Sequence, residues 1–142
     1  MIEKVFVDSN VLVYAHDADS GDKQRIAANA IAEILDARSG VLSIQVLQEF
    51  YSTVTRKLRS AITREIARDL LRGYSSWAIQ PLTAEDVVAA SFIEQSHQLS
   101  FWDSLIVQAA LLAGAKKLLS EDLQHGQSIS GVTVENPFHL IS

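Results

Sequence analysis

Short apolar runs alternate along this chain with longer segments whose apolar residues recur at helical spacing. The runs have the length of buried strands and lie at 4–7, 41–43, 78–82, 117–119 and 132–134. The segments between them predict helices over about 22–37, 44–58, 63–77, 83–96 and 103–114. Strands that alternate with helices favour a parallel sheet with helices on both faces, so we predict an α/β fold.

Several helix ends carry residues suited to capping. Ser43 is the predicted N-cap of the second helix. The segment Thr83-Ala-Glu-Asp86 resembles a capping box, with Asp in place of the usual Glu or Gln. Asp103 is predicted to open the last helix, where its charge suits the helix dipole, and Gly114 to close it.

The size and composition fit one domain spanning residues 1–142. Hydrophobic residues make up 48% of the chain and charged residues 20%, which is enough to build a core. The absence of cysteine excludes disulfides, thiol catalysis and Cys-based zinc sites, and fits a reducing cytoplasm. No apolar run has the length of a signal peptide or a membrane span. We therefore predict a cytoplasmic domain with no membrane partner.

Four acidic residues stand where the predicted fold would bring them together. Asp8 and Asp122 follow strands, Asp103 lies at a helix start, and Glu49 lies about two turns into a helix that follows a strand. Each has an ordinary explanation when taken alone, as a cap, a turn residue or an exposed helix residue. Because open α/β sheets bind ligands beyond the carboxyl ends of their strands, the shared location favours a functional site.

Four carboxylates in one cleft would repel each other unless a divalent cation held them. Mg²⁺ and Mn²⁺ prefer carboxylate and water oxygens, and one or two such ions could assist displacement at phosphorus. Ser9, Asn10 and Ser120 could donate hydrogen bonds that orient the carboxylates. The four histidines are scattered, and nucleophile-elbow, dinucleotide-binding and Walker motifs are absent, so other chemistry has little support.

Two other functions remain open at this stage. One is a phosphatase or receiver domain with Asp8 as the nucleophile. Receiver chemistry would require a Lys after a late strand, whereas Lys116 and Lys117 precede Leu118. The other is a non-catalytic module that binds RNA or protein, against which the intact acids argue.

Half of the basic residues lie between 56 and 72, although the net charge is −5. That net charge alone argues against a polyanion partner, but acids clustered around a cation would account for part of it. Arg64, Arg68 and Arg72 recur every four residues and form a stripe on one helix face. The stripe is either a track for RNA phosphates or a solvated face whose charge is moderated by Glu65 and Asp69.

Four short motifs follow one another along the chain: Phe6-Val-Asp-Ser-Asn-Val11, Gln48-Glu-Phe-Tyr51, Leu99-Ser-Phe-Trp-Asp-Ser-Leu-Ile106 and Leu118-Leu-Ser-Glu-Asp122. In this order they resemble the motifs of PIN-domain ribonucleases, and within them the VapC-type toxins of bacterial toxin–antitoxin modules. The resemblance extends over nearly the whole chain. Val134-Glu-Asn-Pro-Phe138 is similar to one branch of the family.

The resemblance implies a three-layer α/β/α sandwich with a parallel central sheet, and a Mg²⁺- or Mn²⁺-dependent site that cuts RNA. By position, Asp8, Glu49 and Asp103 match the three core acids and Asp122 the fourth, with Glu121 as an uncertain neighbour of the set. Ser9 and Asn10 match the hydroxyl residue and the Asn that follow the first acid; Ser stands where Thr is more frequent.

The resemblance also implies a homodimer and a cognate antitoxin that binds as a helix in a groove. An acidic segment of that antitoxin could bind the stripe of Arg64, Arg68 and Arg72. Ordinary core packing is the alternative use for the apolar side chains concerned. They are Phe50, Tyr51, Val54, Leu58, Leu70, Leu71 and Tyr74.

Overall fold

The computed structural model describes residues 2–141, which form six strands and six helices. In chain order the elements are β1 Val5–Val7, α1 Ser9–Ala15, α2 Asp22–Ala37, β2 Gly40–Leu42, α3 Ile44–Arg56, α4 Arg64–Tyr74, β3 Ala78–Ile79, α5 Ala84–His97, α6 Phe101–Leu112, β4 Lys117–Leu119, β5 Ser128–Ile129 and β6 Val132–Glu135. The alternation of strands and helices predicted from the sequence is confirmed.

The strands form one sheet in the order β3-β2-β1-β4-β6-β5. All neighbouring pairs are parallel except β5 and β6, which are antiparallel at the edge. Helices cover the sheet in an α/β sandwich, which confirms the predicted fold class. The chain moves outward from β1 to β2 on one side and returns to β4 on the other, so the carboxyl ends of β1 and β4 lie side by side. Such a switch point is where open α/β sheets bind ligands.

The core lies between the sheet and the helices. Its largest fully buried side chains include Phe6 of β1, Phe50 of α3 and Phe138 near the end of the chain. Of the apolar residues in 50–74 that had two interpretations, Phe50, Val54 and Tyr74 are core residues, whereas the remaining four are partly buried. Core packing therefore accounts for part of this set.

Two elements were not predicted. The α1 segment contains Val11 and Val13, whose β-branched side chains are poor helix formers, and it becomes helical where α2 and α3 pack against it. The edge strand β5 has only two residues and pairs with β6 through Ser130 and Gly131, both at positive φ as in a hairpin turn. Tertiary packing accounts for α1, whereas β5 depends on the local turn that joins it to β6.

Several observed helix ends differ from the predicted ones by one to three residues. Helix α3, which is predicted over 44–58, ends at Arg56, a difference within the usual uncertainty of helix termini. The fourth helix ends at Tyr74, because the hydroxyls of Ser75 and Ser76 bond back to carbonyls of its last turn. The sixth helix begins at Phe101, two residues before the predicted Asp103.

The capping predictions can be compared one by one. The predicted N-cap Ser43 and the capping box of Thr83 with Asp86 are confirmed. Gly114 has φ +73° just beyond the end of α6, as predicted. Asp103 is not a cap: the hydroxyl of Ser100 accepts its backbone N–H at 3.0 Å, so Ser100 is the N-cap and Asp103 lies in the first turn. Among residues 2–141, no helix has both the length and the apolar character needed to cross a bilayer.

Candidate metal centre

Three carboxylates meet at the carboxyl edge of the sheet. Asp8 follows β1 directly, Asp122 follows β4, and Asp103 comes from the first turn of α6. One oxygen atom from each lies within 4.8 Å of the others. Asp8 is 3% exposed, Asp103 is half-buried and Asp122 is exposed. The cluster is therefore open to solvent on the Asp122 side and closed behind Asp8.

The carboxylate of Asp8 is fixed by three donors. Its Oδ1 accepts the backbone N–H of Ser9 at 2.7 Å, which also makes Asp8 the N-cap of α1. Its Oδ2 accepts the hydroxyl of Ser120 at 2.8 Å and the side-chain amide of Asn10 at 3.3 Å. Each carboxylate oxygen has two lone pairs, so Oδ1, which accepts one of these three bonds, keeps a lone pair for a cation.

Asn10 links the two strand ends. Its Nδ2 donates to Oδ2 of Asp122 at 3.2 Å as well as to Asp8, and its Oδ1 accepts the backbone N–H of Glu121 at 3.1 Å. The hydroxyl of Ser120 in turn accepts the backbone N–H of Asp122 at 3.1 Å. Hydrogen bonds of the Asn10 and Ser120 side chains therefore hold Asp8 and Asp122 close to each other.

Glu49 borders the cluster from α3. Its Oε1 accepts the hydroxyl of Ser9 at 3.2 Å, and the side chain is half-buried. Besides burial, the negative charges of Asp103 and Asp122 raise the pKa of its carboxyl group. Glu49 is not one of the three residues whose oxygens lie within 4.8 Å of one another, so it flanks that group.

Burial and mutual repulsion make the ionised cluster costly. Burial raises the pKa of Asp8 to about 7, the hydrogen bonds from Ser120 and Ser9 oppose this rise, and the charges of Glu49 and Asp122 add to it. Burial is also the main cause that raises the pKa of Glu49 and of Asp103. A bound cation would relieve the same repulsion that a proton relieves here.

The side chain of Glu121 is held by other partners. Its Oε1 accepts the hydroxyl of Tyr14 at 2.7 Å, and its Oε2 pairs with Nζ of Lys23 at 2.6 Å. No local sequence pattern points to Tyr14 or Lys23, because both contacts join residues that are far apart in the chain. Glu121 thus contacts the cluster through its backbone, while both of its carboxylate oxygens are occupied.

The predicted arginine stripe lies on α4. Arg64, Arg68 and Arg72 are all exposed, and Arg72 forms an ion pair with Asp69 at 2.9 Å. Arg72 also lines a groove of ≈ 500 Å³ between α3 and α4. The other residues of this α3/α4 groove are Ile44, Leu47, Gln48, Tyr51, Leu71 and Ser75.

The donor set fits a hard divalent cation. It consists of carboxylate oxygens with hydroxyl and amide donors behind them, and no sulfur or imidazole belongs to the group formed by Asp8, Asp103 and Asp122. Oxygen ligands of this kind suit Mg²⁺ and Mn²⁺ and do not suit structural zinc.

The fold and the acids at its switch point define an α/β protein with an acidic, oxygen-donor site. The model of one family, the PIN domain, matches residues 5–127. The chain belongs to the PIN domain family, which confirms the family expected from the motifs.

Solved structures share this fold at low sequence identity. A toxin–antitoxin complex from Klebsiella pneumoniae has a TM-score of 0.67 and 20% identity, covering 94% of this chain and 98% of that one. VapBC2 from Rickettsia felis, bound to a DNA fragment from its promoter, has a TM-score of 0.65 and 17% identity, covering 93% of this chain and 97% of that one. VapC20 from Mycobacterium tuberculosis, a sarcin-ricin loop cleaving toxin, has a TM-score of 0.62 and 15% identity, covering 81% of this chain and 87% of that one. No curated protein matches the chain.

Proposed function

We propose that this protein is a metal-dependent endoribonuclease and the toxin of a toxin–antitoxin pair. The observation that carries the proposal is the set of three carboxylate oxygens, from Asp8, Asp103 and Asp122, within 4.8 Å of one another. Membership of the PIN domain family and a fold shared with toxin–antitoxin proteins, one of which cleaves the sarcin-ricin loop, support it.

Asp8, Asp103 and Asp122 would hold Mg²⁺ or Mn²⁺, with Glu49 at the edge of the group. When bound, such an ion lowers the pKa of the attacking water and stabilises negative charge on the phosphate oxygens. The exposed side of the cluster at Asp122 leaves room for an RNA phosphate, because Mg²⁺ commonly takes a substrate phosphate as a ligand beside one or two carboxylates.

The surrounding residues of this chain prepare the carboxylates for that role. Ser9 and Ser120 donate to the two oxygens of Asp8, and Asn10 donates to both Asp8 and Asp122. These donors fix the direction of the remaining lone pairs and favour the ionised form of Asp8. The carboxylates would therefore be oriented before the substrate arrives, and they would reorganise little during the reaction.

The α3/α4 groove supports the proposed antitoxin contact. Its lining is mainly apolar, with Leu47, Tyr51 and Leu71 on its walls, and Arg72 lies at its border. An amphipathic helix with an acidic residue beside its apolar face would match this combination. The stripe formed by Arg64, Arg68 and Arg72 would then serve the antitoxin, RNA or both.

The homodimer and the cytoplasmic location stay predictions. Exposed apolar side chains on α5 and α6, among them Val88, Phe92 and Trp102, offer a surface that a second copy would cover. Light scattering that detects only monomer at micromolar concentrations would contradict the dimer.

Cleavage assays on purified protein test the proposal. The sarcin-ricin loop RNA and unrelated structured and single-stranded RNAs are incubated with Mg²⁺, with Mn²⁺ and with EDTA. We expect cleavage with either metal, none with EDTA, and a loss of at least about 100-fold for Asp8→Asn, because removing a member of the acid cluster removes a metal ligand. Asp36→Asn makes the same chemical change at an exposed site on α2 and should retain activity.

The outcomes separate the alternatives. Cleavage that persists in EDTA or in Asp8→Asn would contradict the assigned chemistry. Acyl-phosphate formation on Asp8 with a phosphodonor would point to phosphoryl transfer, and absence of Mn²⁺ binding in calorimetry would point to a non-catalytic module. A short neighbouring reading frame that encodes a DNA-binding start and an acidic or amphipathic tail would support the toxin assignment.

A further inference from the structure

Glu121 is the centre of a contact network beside the metal centre. Tyr14 of α1 donates its hydroxyl to one carboxylate oxygen, and Lys23 of α2 pairs with the other. The ammonium of Lys23 also lies 3.5 Å from the hydroxyl of Tyr14. We call these three residues the Glu121 clamp; it ties the segment after β4 to two helices.

The clamp is anchored in the core. The ring of Tyr14 packs edge-on against Phe138 with centroids 4.9 Å apart, and Phe138 is fully buried. Nζ of Lys23 lies 4.9 Å from the Tyr14 centroid and 5.5 Å from the Phe138 centroid, within the range of cation–π attraction. An ion pair with these supports is less free to rearrange than an exposed pair on a helix face.

The backbone of Glu121 joins the clamp to the acids. Its N–H donates to Oδ1 of Asn10, whose other side-chain atom donates to Asp8 and Asp122. The next residue along the chain is Asp122 itself. Any movement of Glu121 therefore shifts both Asp122 and the amide that orients it.

We propose that Glu121 is a positioning residue: held by Tyr14 and Lys23, it fixes the segment 120–122 so that Asp122 and Asn10 meet Asp8 at the distance a divalent cation requires. This inference rests on the proposed metal site. It assigns no contact between Glu121 and the ion, and it gives Tyr14 and Lys23 a role that no motif indicated.

Simple electrostatics makes the opposite prediction for one variant. Lys23 carries a positive charge close to the acids and repels a cation, so its removal should strengthen cation binding if charge alone matters. If the clamp positions Asp122, its removal should weaken binding. Tyr14→Phe removes the hydroxyl's hydrogen bonds to Glu121 and Lys23 without any change in charge, so it is free of this ambiguity.

Calorimetric titration of the purified, EDTA-treated and dialysed protein with Mn²⁺ alone is the test. We expect Lys23→Met to weaken Mn²⁺ binding about tenfold and Tyr14→Phe to weaken it in the same direction, as loss of partners behind metal ligands commonly does. Lys57 is the residue at the C-terminal end of α3. Lys57→Met removes the same charge at this position and should leave the Mn²⁺ affinity unchanged. Thermal unfolding without metal identifies any variant that fails to fold, in which case Tyr14→Phe carries the test.

The outcomes are distinguishable from failure of the proposed function. Mn²⁺ binding by Lys23→Met that equals or exceeds that of the wild type would overturn the positioning role, and so would unchanged binding by Tyr14→Phe. If wild-type binding is lost in Asp8→Asn while the clamp variants bind normally, the metal site stands and only the clamp fails. If the wild-type protein binds no Mn²⁺, both are overturned.

Discussion

The hydroxyl of Ser120 donates a hydrogen bond of 2.8 Å to Oδ2 of Asp8, joining residues 112 apart in the chain. Ser120 is completely buried and Asp8 is 3% exposed, so the bond lies behind the acid cluster, away from solvent. It connects the ends of β1 and β4, the two strands at the switch point of the sheet. This hydrogen bond therefore ties Asp8 to the segment after β4 that carries Asp122.

Stability without metal should depend on pH through Asp8. The pKa of Asp8 is about 7 in the folded protein against an ordinary value of 3.8, so the folded protein keeps a proton that the unfolded chain releases. The contribution of Asp8 to stability is therefore full below about pH 4 and is lost as pH rises towards 7. Urea unfolding in EDTA should show Asp8→Asn gaining on the wild type over this window; a difference that does not change with pH would contradict the shift.

Asn10→Ala should impair the site more than the fold. The variant loses donation to Asp8 and Asp122 and leaves the N–H of Glu121 without this acceptor. We expect a fall of roughly 10- to 100-fold in RNA cleavage or Mn²⁺ affinity, and a loss of only about 1 kcal/mol in unfolding free energy. Asn29→Ala, on an exposed face of α2, is the control and should leave RNA cleavage and Mn²⁺ affinity unchanged.

Gly40→Ala should destabilise the fold and spare the site. A Cβ at Gly40 would lie 2.3 Å from Cε3 of Trp77, a contact that forces the ring to move, and we expect a cost of about 1–3 kcal/mol. Gly40 begins β2, whereas the candidate metal centre lies at the carboxyl edge of the sheet, beyond the other end of the strand. The affinity for metal should therefore persist. Gly73→Ala in α4 meets nothing within 4 Å and should stabilise by roughly 0.5–1 kcal/mol in the same urea titration. Equal effects at the two glycines would contradict the packing at Trp77.

Replacement of Arg64, Arg68 and Arg72 by Ala should leave the unfolding free energy within about 0.5 kcal/mol, because all three are exposed. The salt dependence of RNA binding then decides between the two interpretations of the stripe. A track for phosphates would lose about 0.7 from the logarithmic salt slope for each contact to single-stranded RNA. An unchanged slope and unchanged antitoxin affinity would leave the stripe as a solvated face.

Much of the fold could be predicted from local patterns. The strand after Lys4 and the capping box of Thr83 depend on residues close together in sequence, and both are present. The unpredicted helix α1 contradicts its local preference, because Val11 and Val13 are buried against other helices. Asp103 is predicted to open α6, but a Ser lies three residues earlier, and the hydroxyl of Ser100 is the cap.

The sequence by itself determined the α/β class, the family and which acids follow the strands, since strand length, helical spacing and motif order are local properties. Only the tertiary structure decided how the polar groups pair. Glu121 and Asp122 are adjacent, yet one carboxylate meets Lys23, 98 residues earlier, and the other joins Asp8 and Asp103. The physical reason is that hydrogen bonds and ion pairs depend on distances of about 3 Å, which only the packing of α1 and α2 beside β4 sets.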